Sequence, residues 1–553
     1  MNCSIGNELK IKNINKHSYI STKMIRNFGW NFKYPSRRMP ILAENVVATS
    51  QPLACQAGIK MLLNGGNAVD AAIATAITLT VVEPVNNGIG SDAFALVWDG
   101  KSLIGLNASG RSPAAWTPEY FSRRKAMPMF GWDATTIPGA VSAWVELSNK
   151  YGQLSFEKLF QPAIRYAEKG FIVSPITAEV WGYLAKMYKR RLYPEFHETF
   201  MINGKPPAPG QLFKCLPQAE TLKKIAQTKG EAFYSGELAK KIVSHSENTG
   251  GVMTLQDLEN HKVTWEKPIS LNYKGVTLHE IPPNGQGITA LIMLGILKNF
   301  EINDLDPDSP ETIHIQLEAM KIAFSDAYRY ISDSSNLEFD PEHLLDDEYL
   351  KQRALEIDSA RAKIFKYGIP KMGDTVYLTT ADENGMMVSY IQSNYMGFGS
   401  GIVVPETGIS LQNRGNGFTL IEGHPNQVGP NKRPFHTIIP GFVTQKGKPL
   451  MSFGVMGGEM QPQGHAQMMI RIFEYGQNPQ TALDAPRWRV INGLNVKVES
   501  DFNKSTTKNL TNMGHSITED FYFNFGGGQI IYKLDEGYLA ASDPRKDGQA
   551  IGY

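Results

Sequence analysis

Cysteine is scarce in this sequence of 553 residues. Its three cysteines, Cys3, Cys55 and Cys215, lie far apart and form no Cys-x-x-Cys pair. A disulfide scaffold is indicated by a larger, even set of cysteines, and a cysteine zinc site by paired ligands. The sequence therefore indicates neither, and buried or unreactive thiols are the expected state.

The sequence also lacks an excess of charge and a long apolar run. Lys and Arg total 55 and Asp and Glu total 54, a formal net charge of +1. The first 38 residues are polar and basic without the apolar core of a secretory signal, and the apolar run near 71–82 is too short to span a bilayer. We therefore expect a cytoplasmic protein with no nucleic-acid or membrane partner, preceded by a poorly defined N-terminal extension over residues 1–40.

The patterns that are present indicate helices packed against a sheet. Apolar residues recur at helical spacing in Pro52–Leu63 and Ala68–Val81, whereas Ala93–Trp98 and Leu103–Asn107 are strand-like. Residues 137–336 are predicted to be mainly helical. Together these elements favour an α+β layered fold.

One stretch combines strand and turn patterns around a threonine. A strand-like run after Gly373 leads to a turn at 382–385 and a second strand from Met386 to Gln392. An ordinary edge hairpin explains this pattern, since β-branched residues favour strands. The alternative is that Thr375 becomes a new N-terminus, whose α-amine takes the proton of its own hydroxyl. An α-amine has an ordinary pKa of roughly 7.7–8.0, so much of it is a neutral base near physiological pH.

Six blocks resemble the γ-glutamyltranspeptidase family of N-terminal nucleophile hydrolases, in that family's order. The blocks are Gly65–Ala72, Thr375 with Asp382, Phe398–Ile402, Lys432–Pro434, Gly457–Gly458 and Ala541–Lys546. The resemblance implies a four-layer αββα sandwich and self-cleavage between Asp374 and Thr375. The large subunit would then comprise residues 41–374 and the small subunit residues 375–553, both within one sandwich domain.

The resemblance also implies catalytic roles near Thr375. A hydroxyl at the position of Ser393 helps to orient or activate the nucleophile, and the backbone N–H groups of Gly457 and Gly458 form the oxyanion hole. A hydroxyl both donates and accepts, and glycine lets the backbone approach a developing oxyanion. The alternatives are an ordinary strand serine and a turn that caps the following helix, with Gln461 and Gln463 shaping that turn.

Arg111 is a candidate ligand for a substrate carboxylate. Relatives that bind a γ-glutamyl group place an arginine in this loop, where its guanidinium donates two parallel hydrogen bonds. In this sequence Ser109 occupies the position of that arginine, and Arg111 stands two residues nearer the proline. An arginine in solvent or in a local ion pair explains the residue equally well.

The loop at 412–418 departs from γ-glutamyl enzymes. Those enzymes carry an aspartate just before the phenylalanine, which pairs with the substrate α-ammonium, whereas this sequence has Gly417 there. Arg414 adds a cation to the same loop, and a cation favours a carboxylate. The pocket is therefore expected to prefer a substrate with a carboxylate and no α-ammonium, unless Asn416 or Glu422 replaces the missing aspartate.

A second departure lies at His436 and Thr437, where γ-glutamyl enzymes often have two serines. Thr437 retains a hydroxyl, and His436 either binds a carboxylate when charged or is a buried packing residue. This pattern, with Gln-Asn-Arg-Gly at 412–415 and the motif at 457–463, resembles the branch of the family that contains oxamate amidohydrolase. Oxamate is a small amide that bears a carboxylate and no ammonium.

The sequence thus predicts an amide hydrolase or acyltransferase that needs no metal or organic cofactor. Its substrate is either a γ-glutamyl compound such as glutathione or a small carboxylate-bearing amide of the oxamate type. Its partners are the substrate and its own cleaved subunit, with a homodimer of heterodimers as a further expectation. A non-catalytic binding protein that retains the fold is the alternative from another class.

Overall fold

The computed structural model describes residues 36–365 and 374–553, and only the backbone of Asp374. Nearly all of the predicted extension, and residues 366–373 before the predicted cleavage point, lie outside these ranges. Ser36 and Arg37 are exposed and belong to no helix or strand, and residues 38–553 form one structural unit. The subunit boundaries proposed from the sequence remain predictions.

The strands β1–β21 and the α-helices α1–α16 are numbered in chain order. The strands are Ile41–Ala43, Val46–Thr49, Asp92–Trp98, Leu103–Asn107, Phe171–Ile172, Leu212–Phe213, Thr264–Glu266, Ile269–Tyr273, Val276–Glu280, Asp374–Ala381, Met387–Tyr395, Val403–Val404, Ile409–Ser410, Gly441–Gln445, Lys448–Val455, Trp488–Asn492, Asn495–Val498, Ser516–Glu519, Gly528–Lys533, Tyr538–Ser542 and Gln549–Gly552.

The helices are Pro52–Leu63, Ala68–Val82, Ala140–Tyr151, Phe156–Lys169, Pro175–Leu184, Pro194–Phe200, Leu216–Thr228, Glu231–Tyr234, Glu237–Asn248, Leu255–Glu259, Gly287–Leu297, Pro310–Tyr330, Asp347–Ala354, Met460–Met469, Pro479–Asp484 and Lys504–Asn512. Short 3₁₀ turns occur at Trp132–Ala134, Ala185–Met187, Ser334–Asn336, Pro341–Leu345, Arg414–Gly417 and Tyr522–Phe525, and a π-helical turn at Ile470–Glu474 follows α14.

Two seven-stranded sheets form the centre of the fold. One has the order β1-β20-β19-β15-β14-β9-β8 and the other β21-β2-β10-β11-β3-β4-β7, with antiparallel neighbours throughout. Side chains from both sheets, among them Phe94, Tyr377 and Phe442, share one buried cluster. The hydroxyls of Thr379 and Ser452 also meet across this interface at 2.6 Å. The two sheets therefore pack face to face.

Helices cover the outer face of each sheet and complete four layers. The apolar residues of α2, α3 and α4 pack with those of β3, β10 and β11 in one buried cluster. The residues of α11, α12 and α14 pack with β9, β14 and β15 in another. The α+β class and the αββα sandwich predicted from the sequence are confirmed.

Helix α2 shows how local sequence sets these layers. Asn67 and Asp70 form a reciprocal capping box that satisfies the first backbone N–H groups. All fifteen residues of α2 are buried, and its small alanines permit close approach to α1 and the sheet. The Asp382 carboxylate from the turn after β10 accepts a hydrogen bond from the Ala68 N–H at 2.8 Å, which joins this helix to the hairpin.

The hairpin predicted from the run after Gly373 and the strand Met386–Gln392 forms as β10 and β11, but it is not at a sheet edge. Strand β10 pairs with β2 on one side and with β11 on the other, and β11 also pairs with β3. The register between β10 and β11 shifts between Asp374 and Val376, so Thr375 lies in a bulge. Bulges redirect a side chain and are frequent beside active sites.

Residues 137–336 are mainly helical, as predicted, but the sequence analysis did not indicate the short strands β7, β8 and β9 among these helices. In β8 and β9 buried residues alternate with more exposed ones, which is the period of a strand with one covered face. These strands extend both sheets at the β4 and β14 edges. Their short alternation was present in the sequence but was obscured by the long helical patterns on both sides.

No helix in the described ranges is long and apolar enough to cross a membrane. The cytoplasmic location remains a prediction.

Cys55 and Cys215 are both free and buried, and burial raises the pKa of the Cys215 thiol to about 11. Unreactive thiols are therefore the state that these two sites favour.

We expect His279 to make folding stability fall as the pH decreases below about 6.5. Its imidazole contacts the Thr444 hydroxyl at 2.8 Å, and burial lowers its pKa to about 4. The unfolded chain then binds a proton that the native state does not, so the contribution is complete above pH 6.5 and is lost as the pH falls towards 4. The slope is at most about 1.4 kcal/mol per pH unit.

Urea unfolding between pH 7.5 and 4.5 measures this effect. His279→Gln retains a hydrogen-bonding side chain but cannot titrate, so its free energy of unfolding should change less with pH than that of the wild type. Parallel pH profiles for the two proteins would contradict the assignment.

Candidate active site

Thr375 is buried in the bulge at the start of β10, with only 1 % of its surface exposed. Its hydroxyl donates to the Ser393 hydroxyl at 3.2 Å and accepts from the Gln461 side-chain amide at 3.2 Å. The position next to Asp374, where the sequence predicts cleavage, is thus inside the sandwich. The two contacts fix the direction of the hydroxyl.

Ser393 lies near the end of β11, directly beside Thr375. Its hydroxyl also accepts the Tyr395 backbone N–H at 2.7 Å. The sequence predicted that this hydroxyl orients Thr375, and the structure brings the two hydroxyls together. A serine that accepts two donors and can donate in turn suits a proton relay.

Gln461 is a contact of Thr375 that the sequence placed only in the turn before α14. Its side-chain oxygen accepts the Ile439 N–H at 2.9 Å, and its amide nitrogen therefore points at Thr375. The Gln461 backbone N–H donates to Gly458 O at 3.1 Å. Nothing in the local pattern distinguished this glutamine from Gln463, because only the tertiary structure brings the start of α14 to the threonine.

Gly457 and Gly458 form the turn between β15 and α14. Their φ angles are +119° and +60°, a region that glycine adopts without strain. Neither backbone N–H donates a hydrogen bond to any residue in the described ranges. Since Gln461 links this turn to Thr375, the two N–H groups are available donors in the same neighbourhood.

Arg414 is the most unusual side chain of the site. It is 2 % exposed, its Nη1 donates to the Thr437 hydroxyl at 2.6 Å, and its guanidinium lies 4.8 Å from the Tyr395 ring centroid. Its Nε and Nη2 have no hydrogen-bond partner among the described residues. Burial lowers its pKa to about 10, which still leaves it charged at neutral pH. A buried cation with two free donors is expensive unless an anion joins it.

The Tyr395 ring packs against this guanidinium, and the Tyr395 backbone adopts an unfavourable conformation. Its φ of +78° is rare for a residue with a Cβ, and the residue is opposite Asp374 in the β10–β11 pairing. Its hydroxyl donates to the Glu459 carboxylate at 3.3 Å. Arg414 and Glu459 therefore contact the face and the hydroxyl of one ring.

Gly417 has no room for a side chain. A Cβ built there would lie 2.4 Å from the backbone oxygen of Phe435. The aspartate that γ-glutamyl enzymes carry at this position is excluded by packing as well as by sequence. Of the two proposed substitutes, Glu422 is exposed, and the Asn416 amide donates to Met127 O and Pro128 O at 3.0 and 3.1 Å.

Of the two interpretations of His436, the structure supports a buried packing residue and not a charged ligand for a substrate carboxylate. His436 is fully buried, and its Nε2 contacts the carboxylate of Asp92 at 3.1 Å. Burial, with the charges of Arg414 and Arg433, lowers the pKa of His436 well below its ordinary value. The neutral imidazole therefore supplies no charge for a substrate carboxylate.

Arg111 is paired away from Arg414 and Thr375. Its Nη1 donates to Asp333 at 2.7 Å and to Asn431 O at 3.0 Å, and 39 % of its side chain is exposed. Asp333 also accepts the Arg433 backbone N–H, so this pair holds the loop before the Lys432–Pro434 block. The described contacts of Arg111 include none of the other predicted site residues, and its role in substrate binding stays a prediction.

The structure therefore brings together two groups of predicted residues. The Thr375 hydroxyl contacts Ser393 and is linked through Gln461 to the Gly457–Gly458 turn, and Arg414 with Thr437 forms a buried cationic group over the Tyr395 ring. A hydroxyl held by hydrogen bonds, free backbone donors and a buried cation are suited to acyl transfer from a substrate that carries an anion.

Comparisons with known proteins match most of the chain to proteins of known activity. The sequence model of the gamma-glutamyltranspeptidase family matches residues 54–553. The chain is 37 % identical to the glutathione hydrolase-like YwrD proenzyme of Bacillus subtilis, over 92 % of this chain and 98 % of that protein. It is 34 % identical to the oxamate amidohydrolase proenzyme of Klebsiella pneumoniae, over 91 % and 97 %.

A solved structure agrees with the fold over nearly its full length. The cephalosporin acylase from Bacillus halodurans superposes with a TM-score of 0.91 at 46 % identity, covering 95 % of this chain and 99 % of that one. The relatives named here are hydrolases, acylases and amidohydrolases.

Proposed function

Because this chain belongs to the gamma-glutamyltranspeptidase family of enzymes, we propose that it is a self-cleaving amide hydrolase for small acyl groups that carry a carboxylate. The observation that carries the substrate class is Arg414, a fully buried guanidinium with two donors that have no described partner. A bidentate carboxylate supplies the two acceptors that these donors lack.

Thr375 is the proposed nucleophile. Cleavage of the bond after Asp374 frees its α-amine, which takes the hydroxyl proton directly or through water. The contacts from Ser393 and Gln461 then hold the oxygen for attack on the substrate amide carbon. Two relatives are named proenzymes, which agrees with a chain that is cut before it acts.

The remaining steps follow from the same groups. The carbon–oxygen bond forms, and the N–H groups of Gly457 and Gly458 stabilise the oxyanion, each donor contributing roughly 3–4 kcal/mol to lowering the barrier. The carbon–nitrogen bond then breaks as the amine returns its proton to the leaving nitrogen. Water attacks the resulting ester and releases the acid, whereas an amine in place of water would give acyl transfer.

Glu459 favours γ-glutamyl compounds as a second candidate substrate. Its buried carboxylate contacts the Tyr395 hydroxyl, beside the ring that supports Arg414. A carboxylate and a guanidinium on one ring are the partners that an α-ammonium and an α-carboxylate require. Against this candidate, Gly417 leaves no space for the aspartate of γ-glutamyl enzymes.

Three substrates separate these possibilities. Glutaryl p-nitroanilide and γ-glutamyl p-nitroanilide differ only in the α-ammonium, and ammonia release reports oxamate hydrolysis. We expect kcat/KM for the glutaryl anilide to exceed that for the γ-glutamyl anilide by about tenfold or more, because an ammonium without an adequate partner costs at least about 1.4 kcal/mol. The reverse order would instead assign Glu459 to the ammonium. A cleaved protein inactive on all three would contradict the substrate class.

We expect Gln461→Ala to lower kcat about tenfold while the chain is still cut. The variant removes one neutral hydrogen bond to the Thr375 oxygen, worth about 1–1.5 kcal/mol. The matched control is Gln463→Ala in the same helix, since Gln463 bonds the backbones of Glu459 and Val490 and not Thr375. Equal kcat values for the two variants would show that Gln461 does not position the nucleophile.

The enzyme is also proposed to act as a paired large and small subunit, with two such pairs forming a dimer. Denaturing electrophoresis of the purified protein should show two fragments, and gel filtration should show their association. A dissociated small subunit that is active alone would contradict this arrangement.

A further inference from the structure

Three buried side chains outside the candidate active site converge at one point. His314 and Glu318 belong to α12, and His515 immediately precedes β18. All three are essentially inaccessible to solvent, and their ligand atoms lie within 4.8 Å of one another. The reaction proposed for Thr375 uses none of them.

The local geometry directs the three groups inward. His314 and Glu318 are one helical turn apart, so they share a face of α12. The His314 Nδ1 lies 2.8 Å from the His515 Nε2, and the latter lies 3.9 Å from the Glu318 carboxylate. Two imidazole nitrogens and a carboxylate oxygen are donors that zinc and related divalent ions accept.

The outer contacts fix the orientation of these groups. The His314 Nε2 lies 2.8 Å from Asp358 O, and a carbonyl can only accept, so the ring proton is on Nε2 and the Nδ1 lone pair faces His515. The second oxygen of Glu318 accepts the Lys363 N–H at 3.0 Å. A backbone carbonyl behind a histidine and a donor behind a carboxylate are typical partners of metal ligands.

Lys321 is the remaining polar neighbour. Its ammonium pairs with Glu318 and donates to Lys363 O at 3.0 Å. A carboxylate oxygen has more than one acceptor site, so this contact is compatible with ligation from the inner side. The His515 Nδ1 has no partner within the described ranges, so the second ring nitrogen places no constraint on its tautomer.

We propose that His314, Glu318 and His515 bind one divalent transition-metal ion, with zinc as the best match to two imidazoles and one carboxylate. The ion takes the place of the proton between the two ring nitrogens, and that proton moves to the His515 Nδ1, which has no partner within the described ranges. The ion joins α12 to His515. The segment with Asp358 and Lys363 is held to the same place through its contacts with His314 and Glu318. If the chain is cut before Thr375, as the proposed function requires, the ion links the two subunits.

The full-length protein, cleared of metal with a chelator and dialysed, provides the test. We expect Zn²⁺ and Co²⁺ to bind with a stoichiometry of one per chain by calorimetry, Co²⁺ to develop visible absorption, and Zn²⁺ to raise the melting temperature. A stoichiometry below 0.1 for both ions would overturn the site. None of these readouts depends on activity or on cleavage, so they do not test the function proposed for Thr375.

Variants assign the binding to these residues. His515→Ala and, as a more conservative change, Glu318→Gln should weaken Co²⁺ binding by roughly 100-fold or more, since each removes a ligand. The matched control is His343→Ala, because His343 is an exposed histidine paired with Asp346. If one of the two variants fails to fold, the Co²⁺ affinity of the other tests the assignment. Wild-type affinity in either folded variant, or loss of binding in the control, would overturn the assignment.

Discussion

Thr375→Ala should yield a single uncut chain with no amidase activity. The variant removes the hydroxyl that attacks both the preceding peptide bond and the substrate, and the loss of a catalytic nucleophile costs roughly 10⁴-fold or more in kcat. Its effect on stability should be small, because only a methyl group and two hydrogen bonds of 3.2 Å are lost. Denaturing electrophoresis and p-nitroaniline release measure the two results.

Two further variants make this result specific. Thr375→Ser retains a hydroxyl and an α-amine, so it should still be cut and retain measurable activity. Thr379→Ala removes another buried hydroxyl from the same strand, which bonds Ser452 and Val388 O, and it should be cut like the wild type. Cleavage of Thr375→Ala at the same bond, or full activity of an uncut wild type, would refute the nucleophile.

The second large effect is expected from Arg414→Gln. Removal of one partner of a buried, hydrogen-bonded charge pair costs about 2–5 kcal/mol, so kcat/KM for a glutaryl anilide should fall roughly 30- to 5,000-fold. Self-cleavage should continue, because Arg414 does not contact Thr375 in the described structure. The anilide of glutaric acid monoamide, which has no charge, should be affected far less.

Arg111→Gln is the matched control for this prediction. Arg111 is partly exposed and paired with Asp333, and the sequence alone could not decide which arginine holds the carboxylate. We expect its kcat/KM for the glutaryl anilide to stay within about threefold of the wild type, since partly exposed ion pairs contribute little. If Arg111→Gln loses the charged substrate and Arg414→Gln does not, the two assignments must be exchanged.

The regular parts of the fold were predictable from sequence because their signals are local. Helix α1 and strand β4 begin and end where the residue patterns indicate, and α2 and β3 each differ from the prediction by one residue. Strands β7–β9 were missed, since strands of three to five residues give a weak pattern between long helices. The hairpin at 374–395 was found, but its place in the middle of a sheet depends on β2 and β3, which come more than 270 residues earlier.

Site residues that belong to a sequence motif were predictable, whereas residues that reach the site only through tertiary packing were not. Thr375 and the glycine turn came from blocks in family order, and Ser393 from its position in the same resemblance. Ser393 contacts Thr375 directly, and Gln461 links the turn to it. Gln461 was overlooked because nothing in its neighbours along the chain sets it apart from Gln463. Conversely, the sequence allowed a charged His436. Burial beside Asp92 and the charges of Arg414 and Arg433 keep this imidazole neutral.

By itself, the sequence determined the family, the layered architecture and the threonine at which the chemistry is proposed. These depend on residue order and on periodicity, which are properties of the chain alone. Only the tertiary structure decided which charges are buried and which remain without a partner. Arg414 and Arg111 are the same residue type in comparable loops, but one is enclosed above Tyr395 and the other faces solvent beside Asp333. The free energy of a charge depends on the water and the partners around it, and those are set by segments that are distant in sequence.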